Sequence, residues 1–157
     1  MIHAALSVTE DDMRAVIQRV GRTVLSVDGQ LISAIKSGLA VYLGIGPEDE
    51  KRNAESMAKK IAQLRIFEDE QGKMNRSVVE VGGEVLLISQ FTLFGDCTHG
   101  NRPSFIGAAR PEQAKPLYKY TAKCLQDYGI PVRMGIFGAD MKIEQNNDGP
   151  VTILYEC

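Results

Sequence analysis

The chain has 157 residues, of which 44% are hydrophobic and 24% are charged, and its formal net charge is −2. This composition predicts one soluble globular domain, and no apolar run approaches the ~20 residues that span a bilayer. The negative net charge argues against wholesale coating of nucleic acid, although a local basic patch can still contact phosphates. Three cysteines without paired spacing favour a reducing compartment, so a cytoplasmic protein is expected.

The first twelve residues differ in pattern from the remainder of the chain. They lack the basic start and apolar core of a secretory signal. A strand-like pattern begins only at Met13. We therefore interpret residues 1–12 as an extension and residues 13–157 as the domain.

Residues 13–20 are predicted to form the first strand of the domain. One face of this strand carries Met13, Ala15 and Ile17 and then continues into Arg19. A guanidinium in that position either extends from the strand end into water or turns inward to brace a polar site. The pattern leaves both alternatives open.

Three more strands and a helix follow in the predicted order. Segments 23–27 and 30–36 flank Asp28-Gly29, the two-residue signal of a hairpin with a type I′ turn. Residues 39–45 form another strand. Residues 49–64 then place apolar side chains at helical spacing, which predicts an amphipathic helix.

The centre of the chain combines a buried strand with a polar cluster. An unbroken apolar run over residues 85–88 predicts a strand that is covered on both faces. It leads directly into Ser89, Gln90, Phe91 and Thr92. Strand ends hold backbone amides and short side chains rigidly enough for catalysis, although these polar residues could simply satisfy a turn.

A second helix is predicted over residues 111–128, with Gly129 as its end signal. Pro116 complicates the beginning of this helix. Either the first turn kinks there, or the regular helix begins near Pro116, because proline loses no hydrogen bond in a first turn. Residues 132–137 and 151–155 are predicted as closing strands. The expected architecture is one α+β domain.

Gly149-Pro150 lies between the two closing strands. A peptide bond before proline can adopt the cis form at modest cost, and glycine leaves its carbonyl free to take unusual directions. Such a dipeptide can form a rigid pair of carbonyls. The alternative is an ordinary trans turn, since only about 5% of such bonds in folded proteins are cis.

Several common chemistries lose support from the residues present. The chain has two histidines, and His3 lies in the extension, so a serine-type triad would depend on His99 alone. Ser89 lacks the Gly-x-Ser-x-Gly surroundings, and no phosphate-binding or dinucleotide-binding glycine loop occurs. Cys97 and His99 are too few for zinc, and residues 69–70 are interpreted as a solvated turn. Catalysis by positioned backbone and substrate groups remains, with no metal or cofactor.

The ordered set of motifs resembles the D-aminoacyl-tRNA deacylase family. The match runs from Met13 to about Leu154, in order and with the family's spacing. Each motif alone is weak, whereas the ordered set is highly specific. The segments that carry the resemblance are Met13-Arg14-Ala15-Val16-Ile17-Gln18-Arg19-Val20, Gly72-Lys73-Met74-Asn75, Ser89-Gln90-Phe91-Thr92-Leu93, Gly100-Asn101-Arg102-Pro103-Ser104-Phe105, Phe137-Gly138-Ala139 and Asn147-Asp148-Gly149-Pro150-Val151-Thr152.

The resemblance implies a homodimer of α+β subunits, each with mixed, largely antiparallel sheets packed with two main helices. Ser89, Gln90, Phe91 and Thr92 would line a pocket, and a cis Gly149-Pro150 would reach in from the partner subunit. In the family the carbonyls of that dipeptide occupy the space of an L side chain. D-aminoacyl and glycyl esters would therefore fit, and L-aminoacyl esters would be excluded.

The implied reaction is hydrolysis of the ester between an amino acid and the terminal adenosine of tRNA. Backbone amides around Phe91 and Thr92 could hold the developing oxyanion, and the substrate's own 2′-hydroxyl would assist. A covalent role for the Thr92 hydroxyl is the competing mechanism, although no base is visible to activate it. The competing classes are a non-catalytic RNA-binding module and a general small-ester hydrolase.

The resemblance also assigns supporting residues. Arg19 would brace the Gly-Pro loop, and together with the Asn147 and Thr152 pattern it favours the D-specific class over a related deacylase class with a trans Gly-Pro bond. Basic side chains carry a separate hypothesis, which does not come from the family motifs. They are Lys115, Lys119, Lys123 and Arg102, either a solvated set or a contact to the tRNA backbone.

Overall fold

The computed structural model describes residues 12–157. Of the extension predicted over residues 1–12, all but Asp12 lie outside the described residues, so its boundary stays a prediction. The elements in chain order are β1 (Arg14–Val27), β2 (Gln30–Ile35), β3 (Gly38–Gly44), α1 (Lys51–Gln63), β4 (Phe67–Glu68), β5 (Met74–Arg76), β6 (Glu84–Ser89), a 3₁₀ turn (Phe91–Phe94), α2 (Pro111–Asp127), β7 (Val132–Met134) and β8 (Lys142–Glu156).

The main sheet is mixed, as predicted, and has the strand order β2-β1-β3-β6-β7, with β8 also paired to β1. β1 is antiparallel to β2, β3 and β8, whereas β3–β6 and β6–β7 are parallel. The strands predicted separately over 13–20 and 23–27 are one continuous strand. It pairs with β3 over residues 14–20 and with β2 over residues 23–27, and its pairing with β8 shifts register between Val20 and Thr23.

β6 lies between two apolar cores, one on each face of the sheet. Val85 and Leu87 belong to the larger core, beneath the two helices. Leu86 and Ile88 belong to a smaller core on the opposite face of the sheet. All four are at most 1% exposed, which explains the unbroken apolar run and confirms a strand covered on both faces.

The two helices lie where their sequence patterns predict. α1 begins with a reciprocal hydrogen-bonded cap between Glu50 and Asn53. α2 begins at Pro111, and Pro116 stays inside the helix, so the alternative start at Pro116 is wrong. Pro111 occupies a position whose amide has no helical acceptor. Tyr118 of α2 donates to the Leu87 carbonyl at 2.6 Å and ties the helix to β6.

The closing strands differ from their predicted bounds. β7 ends at Met134, and the chain turns at Gly138, whose φ is +80°. β8 begins at Lys142 and runs through Pro150, well before the predicted start at Val151. Proline is tolerated because the ladder with β1 jumps from Thr152 to Asn147, so no ladder donor is required of Pro150. The Asp28-Gly29 hairpin is confirmed, with φ of +51° and +76°.

Within residues 12–157, neither helix is long and apolar enough to cross a membrane.

Candidate active site

The central polar cluster begins where β6 ends. Ser89 is the last residue of that strand, and the Gln90 amide donates to the Leu43 carbonyl of β3 at 2.8 Å. The chain then closes into the 3₁₀ turn against Gly44. A Cβ on Gly44 would lie 2.9 Å from the Phe94 ring and 3.1 Å from the Gln90 carbonyl oxygen. Glycine at this position therefore allows the turn to pack directly on β3.

Arg14 holds the other side of the 3₁₀ turn. Its Nη1 donates to the Leu93 carbonyl at 3.1 Å, and its guanidinium lies 4.5 Å from the centre of the Phe94 ring. Its Nε lies 3.6 Å from a carboxylate oxygen of Glu156 in β8. A planar cation with several donors can satisfy these partners together. The turn is thus fixed by both β1 and β3.

A cavity of about 280 Å³, called here the Ser89 cavity, lies beside the end of β6. One wall is the strand end and the beginning of the 3₁₀ turn, and the other is the segment that connects β7 to β8. Of the four predicted catalytic residues, Ser89, Gln90 and Phe91 line this cavity and Thr92 does not. The full set of lining residues is Ile88, Ser89, Gln90, Phe91, Phe137, Gly138, Ala139, Asp140, Met141 and Ile143.

The sequence patterns did not indicate that the second wall belongs to the site. Phe137-Gly138-Ala139 was noticed only as a segment of the family pattern, and Met141 and Ile143 were not singled out. The available signal was Gly138, because a glycine between two apolar segments indicates a tight turn. The pairing of this turn with β6 is a long-range contact that local patterning does not specify.

The hydroxyl of Thr92 is engaged by a neighbouring side chain. The Gln90 Nε2 donates to the Thr92 Oγ1. An amide nitrogen that donates cannot also accept the proton that an attacking hydroxyl must lose. The backbone amides of Phe91 and Thr92 lie at the beginning of the 3₁₀ turn, where amides have no acceptor within the turn.

The long loop after the 3₁₀ turn folds back onto the site. Asp96 and Ser104 form a two-way backbone bridge of 2.8 and 2.9 Å that closes the loop. Phe105 then packs edge-on against Phe91, with ring centres 5.3 Å apart. Arg102 lies exposed on this loop. The Gly100–Phe105 motif is therefore joined to the cavity through an aromatic contact.

Two carboxylates that could suggest a catalytic or metal-binding role instead accept hydrogen bonds within turns. Hydrogen bonds from the backbone amides of Lys73 and Gln71 lower the pKa of Asp69. Hydrogen bonds from the hydroxyl and then the amide of Thr98 lower the pKa of Asp96. Both are charged turn acceptors, which agrees with the interpretation of residues 69–70. Among residues 12–157, no three His, Cys, Asp or Glu side chains form a group suited to a metal ion.

Arg19 is turned inward and is only 7% exposed. Its Nη1 donates to the Ile66 carbonyl at 2.7 Å, and its Nε donates to the Asp148 carbonyl at 3.2 Å. The Asp148 carboxylate lies 3.3 Å from the same nitrogen. Of the two alternatives for this guanidinium, the inward one is the one observed. It joins the β8 loop to the segment after α1.

Gly149 and Pro150 form an exposed loop within β8, and the bond between them is cis. Gly149 has a φ of +127°, and a Cβ there would lie 2.9 Å from Val151 and 3.3 Å from Arg19 Nη2. Only glycine fits this conformation without strain. Neither residue of the dipeptide is among the described residues that line the Ser89 cavity of its own chain.

The two remaining predicted residues flank this loop. The Asn147 Oδ1 accepts a hydrogen bond from the Gln145 Nε2. The Thr152 Oγ1 accepts from the Gln18 Nε2 at 3.2 Å. Both are exposed and lie next to the loop, away from the cavity wall. One chain therefore presents the predicted residues in two separate groups.

Comparison with known proteins identifies the family of this chain. The family model described as D-Tyr-tRNA(Tyr) deacylase matches residues 16–156. The chain belongs to this family. A protein of Deinococcus radiodurans named D-aminoacyl-tRNA deacylase is 54% identical over 144 residues, covering 92% of this chain and 99% of the relative. One of Thermus aquaticus with the same name is 51% identical, covering 92% and 95%.

Solved structures extend the family relationship to the fold. The structure titled c-Myc DNA Unwinding Element Binding Protein is 43% identical, with a TM-score of 0.84, covering 92% of this chain and 98% of that one. A structure described as a probable eukaryotic D-amino acid tRNA deacylase has a TM-score of 0.81 at 16% identity, covering 93% and 100%. At that identity the second likeness supports the fold alone.

Proposed function

We propose that the protein hydrolyses the ester bond of D-aminoacyl-tRNA, releases the free D-amino acid and tRNA, and rejects L-aminoacyl-tRNA. The domain responsible spans residues 13–157 and acts in the cytoplasm during translation. The observation that carries the proposal is the Ser89 cavity at the end of β6, in a chain that belongs to a deacylase family. The cavity lies beside a turn whose first amides have no acceptor within it.

The cavity wall supports catalysis by backbone groups and substrate. Of the described residues, those that line it include no histidine, lysine or cysteine. Its one carboxylate, Asp140, is 86% exposed and lies 3.5 Å from Lys142. No cofactor or metal ion is needed for the reaction.

In the proposed reaction water attacks the ester carbonyl while the amides of Phe91 and Thr92 stabilise the oxyanion. The 2′-hydroxyl next to the ester assists the proton transfer from the substrate's side. The competing mechanism makes the Thr92 hydroxyl a covalent nucleophile. One observation disfavours it, since the Thr92 Oγ1 accepts a hydrogen bond from the Gln90 amide nitrogen, which cannot take up its proton.

Selectivity is assigned to a second copy of the chain. Gly149 and Pro150 are exposed and do not line their own chain's cavity, so their carbonyls are available to another subunit. Leu154, on the same strand, is 75% exposed, which leaves a large apolar side chain for a partner to cover. In the proposed homodimer each loop enters the partner's Ser89 cavity.

The carbonyls of Gly149 and Pro150 would fill the space that an L side chain requires. Arg19 holds the loop from within through the Asp148 carbonyl, so the carbonyls cannot move aside easily. Rejection of the wrong hand then depends on a clash rather than on contacts to the D side chain. An achiral glycyl ester has no side chain to reject, so glycyl-tRNA is a further substrate.

The tRNA backbone is the proposed partner of an exposed cationic surface. Lys115, Lys119 and Lys123 are all exposed along α2, and Arg102 is exposed on the loop next to Phe105. Side chains four residues apart lie on one face of a helix. Contacts of this kind to phosphates position a nucleic acid without reading its sequence.

Incubation with matched D- and L-aminoacyl-tRNA tests the proposal. We expect release of the D-amino acid and retention of the L ester. Binding without cleavage of either substrate would favour a non-catalytic RNA-binding module. Equal cleavage of both hands would favour a general ester hydrolase, and each of these results would overturn the proposed function.

A further inference from the structure

A chain of side-chain hydrogen bonds crosses the sheet face opposite the helices. The Tyr42 hydroxyl donates to the Gln145 Oε1 at 2.6 Å, and the Gln145 Nε2 donates to the Gln18 Oε1 at 2.6 Å. The Gln18 Nε2 then donates to the Thr152 Oγ1 at 3.2 Å. We call these four residues the Tyr42 network. The Gln145 Nε2 also donates to the Asn147 Oδ1.

The hydrogen bonds of the network satisfy both amides that it contains. The Gln145 Oε1 accepts from the Tyr42 hydroxyl, and the Gln145 Nε2 donates to Gln18 and Asn147. The Gln18 Oε1 faces Gln145, and the Gln18 Nε2 donates to Thr152. Burial raises the pKa of Tyr42, which favours its neutral hydroxyl. These bonds join Tyr42 of β3 to Thr152 of β8.

One end of the network packs on the wall of the Ser89 cavity. Tyr42 pairs with Ile88 across β3 and β6, one residue before the pair formed by Leu43 and Ser89. Tyr42 also packs against the smaller core, together with Met141 and Ile143. Ile88, Met141 and Ile143 all line the cavity.

The other end of the network flanks the Gly149-Pro150 loop. Asn147 precedes Gly149 by two residues, and Thr152 follows Pro150 by two. Between these two residues the ladder from β8 to β1 is interrupted, so backbone pairing does not fix the loop. Its position depends on side chains, with Arg19 holding Asp148 and the network holding both flanks.

We propose that Tyr42, Gln145 and Gln18 are positioning residues that fix the Gly149-Pro150 loop relative to the Ser89 cavity of the same subunit. This inference depends on the proposed function. Since the loop serves the partner's cavity, the network determines how far its carbonyls enter that cavity and hence how strictly L esters are rejected. The network contributes no group to the reaction itself.

The test is Tyr42→Phe in the full-length protein, with hydrolysis of D- and L-aminoacyl-tRNA measured separately. The matched control is Tyr120→Phe, which removes a tyrosine hydrogen bond of 2.5 Å to Glu55 between α2 and α1. We expect Tyr42→Phe to lower the ratio of D to L rates by about fivefold, the factor for one net hydrogen bond. Tyr120→Phe should leave the ratio unchanged.

Two results would overturn the inference while leaving the proposed function intact. One is an unchanged ratio in Tyr42→Phe, and the other is an equal loss of both rates. Failure of the unaltered protein to cleave D-aminoacyl-tRNA would instead overturn the proposed function.

If Tyr42→Phe does not fold, Gln145→Leu and Gln18→Leu provide the same test. As members of one network, these two substitutions should have less than additive effects on the ratio. Fully additive effects, or no effect, would also count against the network.

Discussion

The Ser89 cavity and the Gly149-Pro150 loop are held in place by different means. The strand wall is the end of β6, which pairs with β3 as far as Ser89 and with β7 as far as Leu87 and buries its apolar residues in two cores. The loop interrupts its own ladder and is held by the side chains of Arg19 and Gln18 and by Gln145. Side-chain truncation should therefore damage selectivity at the loop more readily than chemistry at the cavity.

The largest effect is expected from Gly149→Ala. The new Cβ would lie 2.9 Å from the Val151 amide nitrogen, at a φ of +127°. Such a conformation costs about 1–3 kcal/mol, which corresponds to roughly fivefold to 150-fold in the ratio of D to L hydrolysis. The control is Gly72→Ala, whose φ is +74° but whose Cβ would meet nothing within 4 Å. An unchanged ratio in Gly149→Ala would show that the loop does not determine selectivity.

Arg19→Lys should have the next largest effect. A single ammonium cannot hold both the Ile66 and Asp148 carbonyls in the geometry of the guanidinium. Loss of one charged hydrogen bond costs about 2 kcal/mol, so the D to L ratio should fall by roughly thirtyfold. Arg22→Lys, exposed on the same strand, serves as the control. Equal ratios in the two variants would show that Arg19 does not position the loop.

Charge reversal on α2 tests the proposed tRNA contact. The triple variant Lys115→Glu, Lys119→Glu and Lys123→Glu should raise KM for aminoacyl-tRNA by several-fold at low salt, with about the same kcat. The dependence of kcat/KM on salt should also become shallower, because fewer phosphate counterions are released. Lys59→Glu on α1 is the control. If KM and its salt dependence both stay the same, α2 does not contact tRNA.

Tyr118→Phe tests how firmly the strand wall of the Ser89 cavity is held. It removes the 2.6 Å hydrogen bond to the Leu87 carbonyl and should cost about 1 kcal/mol of unfolding free energy. The D to L ratio should not change, because the backbone pairing of β6 remains. A changed ratio would mean that the strand is less rigidly held than its pairing implies.

The burial of Tyr118 predicts that the stability of the fold depends on pH. Burial raises the pKa of Tyr118 to about 12. The neutral phenol is favoured in the folded state, so its contribution is complete below the unfolded pKa of about 10 and declines as pH rises toward 12. Denaturant unfolding over this range should show a smaller decline for Tyr118→Phe than for the unaltered protein. Identical declines would contradict this assignment.

The smallest effect is expected from Thr92→Val. If the backbone amides act, loss of the hydroxyl should lower the rate on D-aminoacyl-tRNA by less than about threefold, since it removes only an exposed hydrogen bond from Gln90. A covalent nucleophile would instead show a loss of about 10³-fold or more. Single-turnover rates distinguish the two mechanisms. A loss of the larger size would restore Thr92 as the nucleophile.

Local patterns predicted the elements whose residues determine their own structure. The Asp28-Gly29 hairpin needs two positive φ angles, and β6 needs apolar residues on both faces, so both are visible in the sequence. The inward turn of Arg19 could only be given as one of two alternatives. The inward direction depends on a hydrogen bond to the Ile66 carbonyl, which is distant in sequence.

The remaining parts of the site depend on long-range pairing. The continuation of β8 through Pro150 follows from a register jump against β1, and residues 137–143 become a cavity wall only because they meet β6. Gln145 has no distinctive local pattern, and its role appears once Tyr42 and Gln18 lie beside it. Such contacts require the folded chain, so no local signal could have indicated them.

A mixing experiment tests most directly whether each site is shared between two subunits. Gly149→Ala should damage only the loop, and Ala139→Trp should block only the cavity that Ala139 lines. A mixed dimer then contains one site with an intact cavity and an intact loop. Random exchange should leave cleavage of D-aminoacyl-tRNA about the same and lower cleavage of L-aminoacyl-tRNA by about half, because half of the intact cavities then receive an intact loop. Unchanged cleavage of L-aminoacyl-tRNA after verified exchange would contradict the shared site.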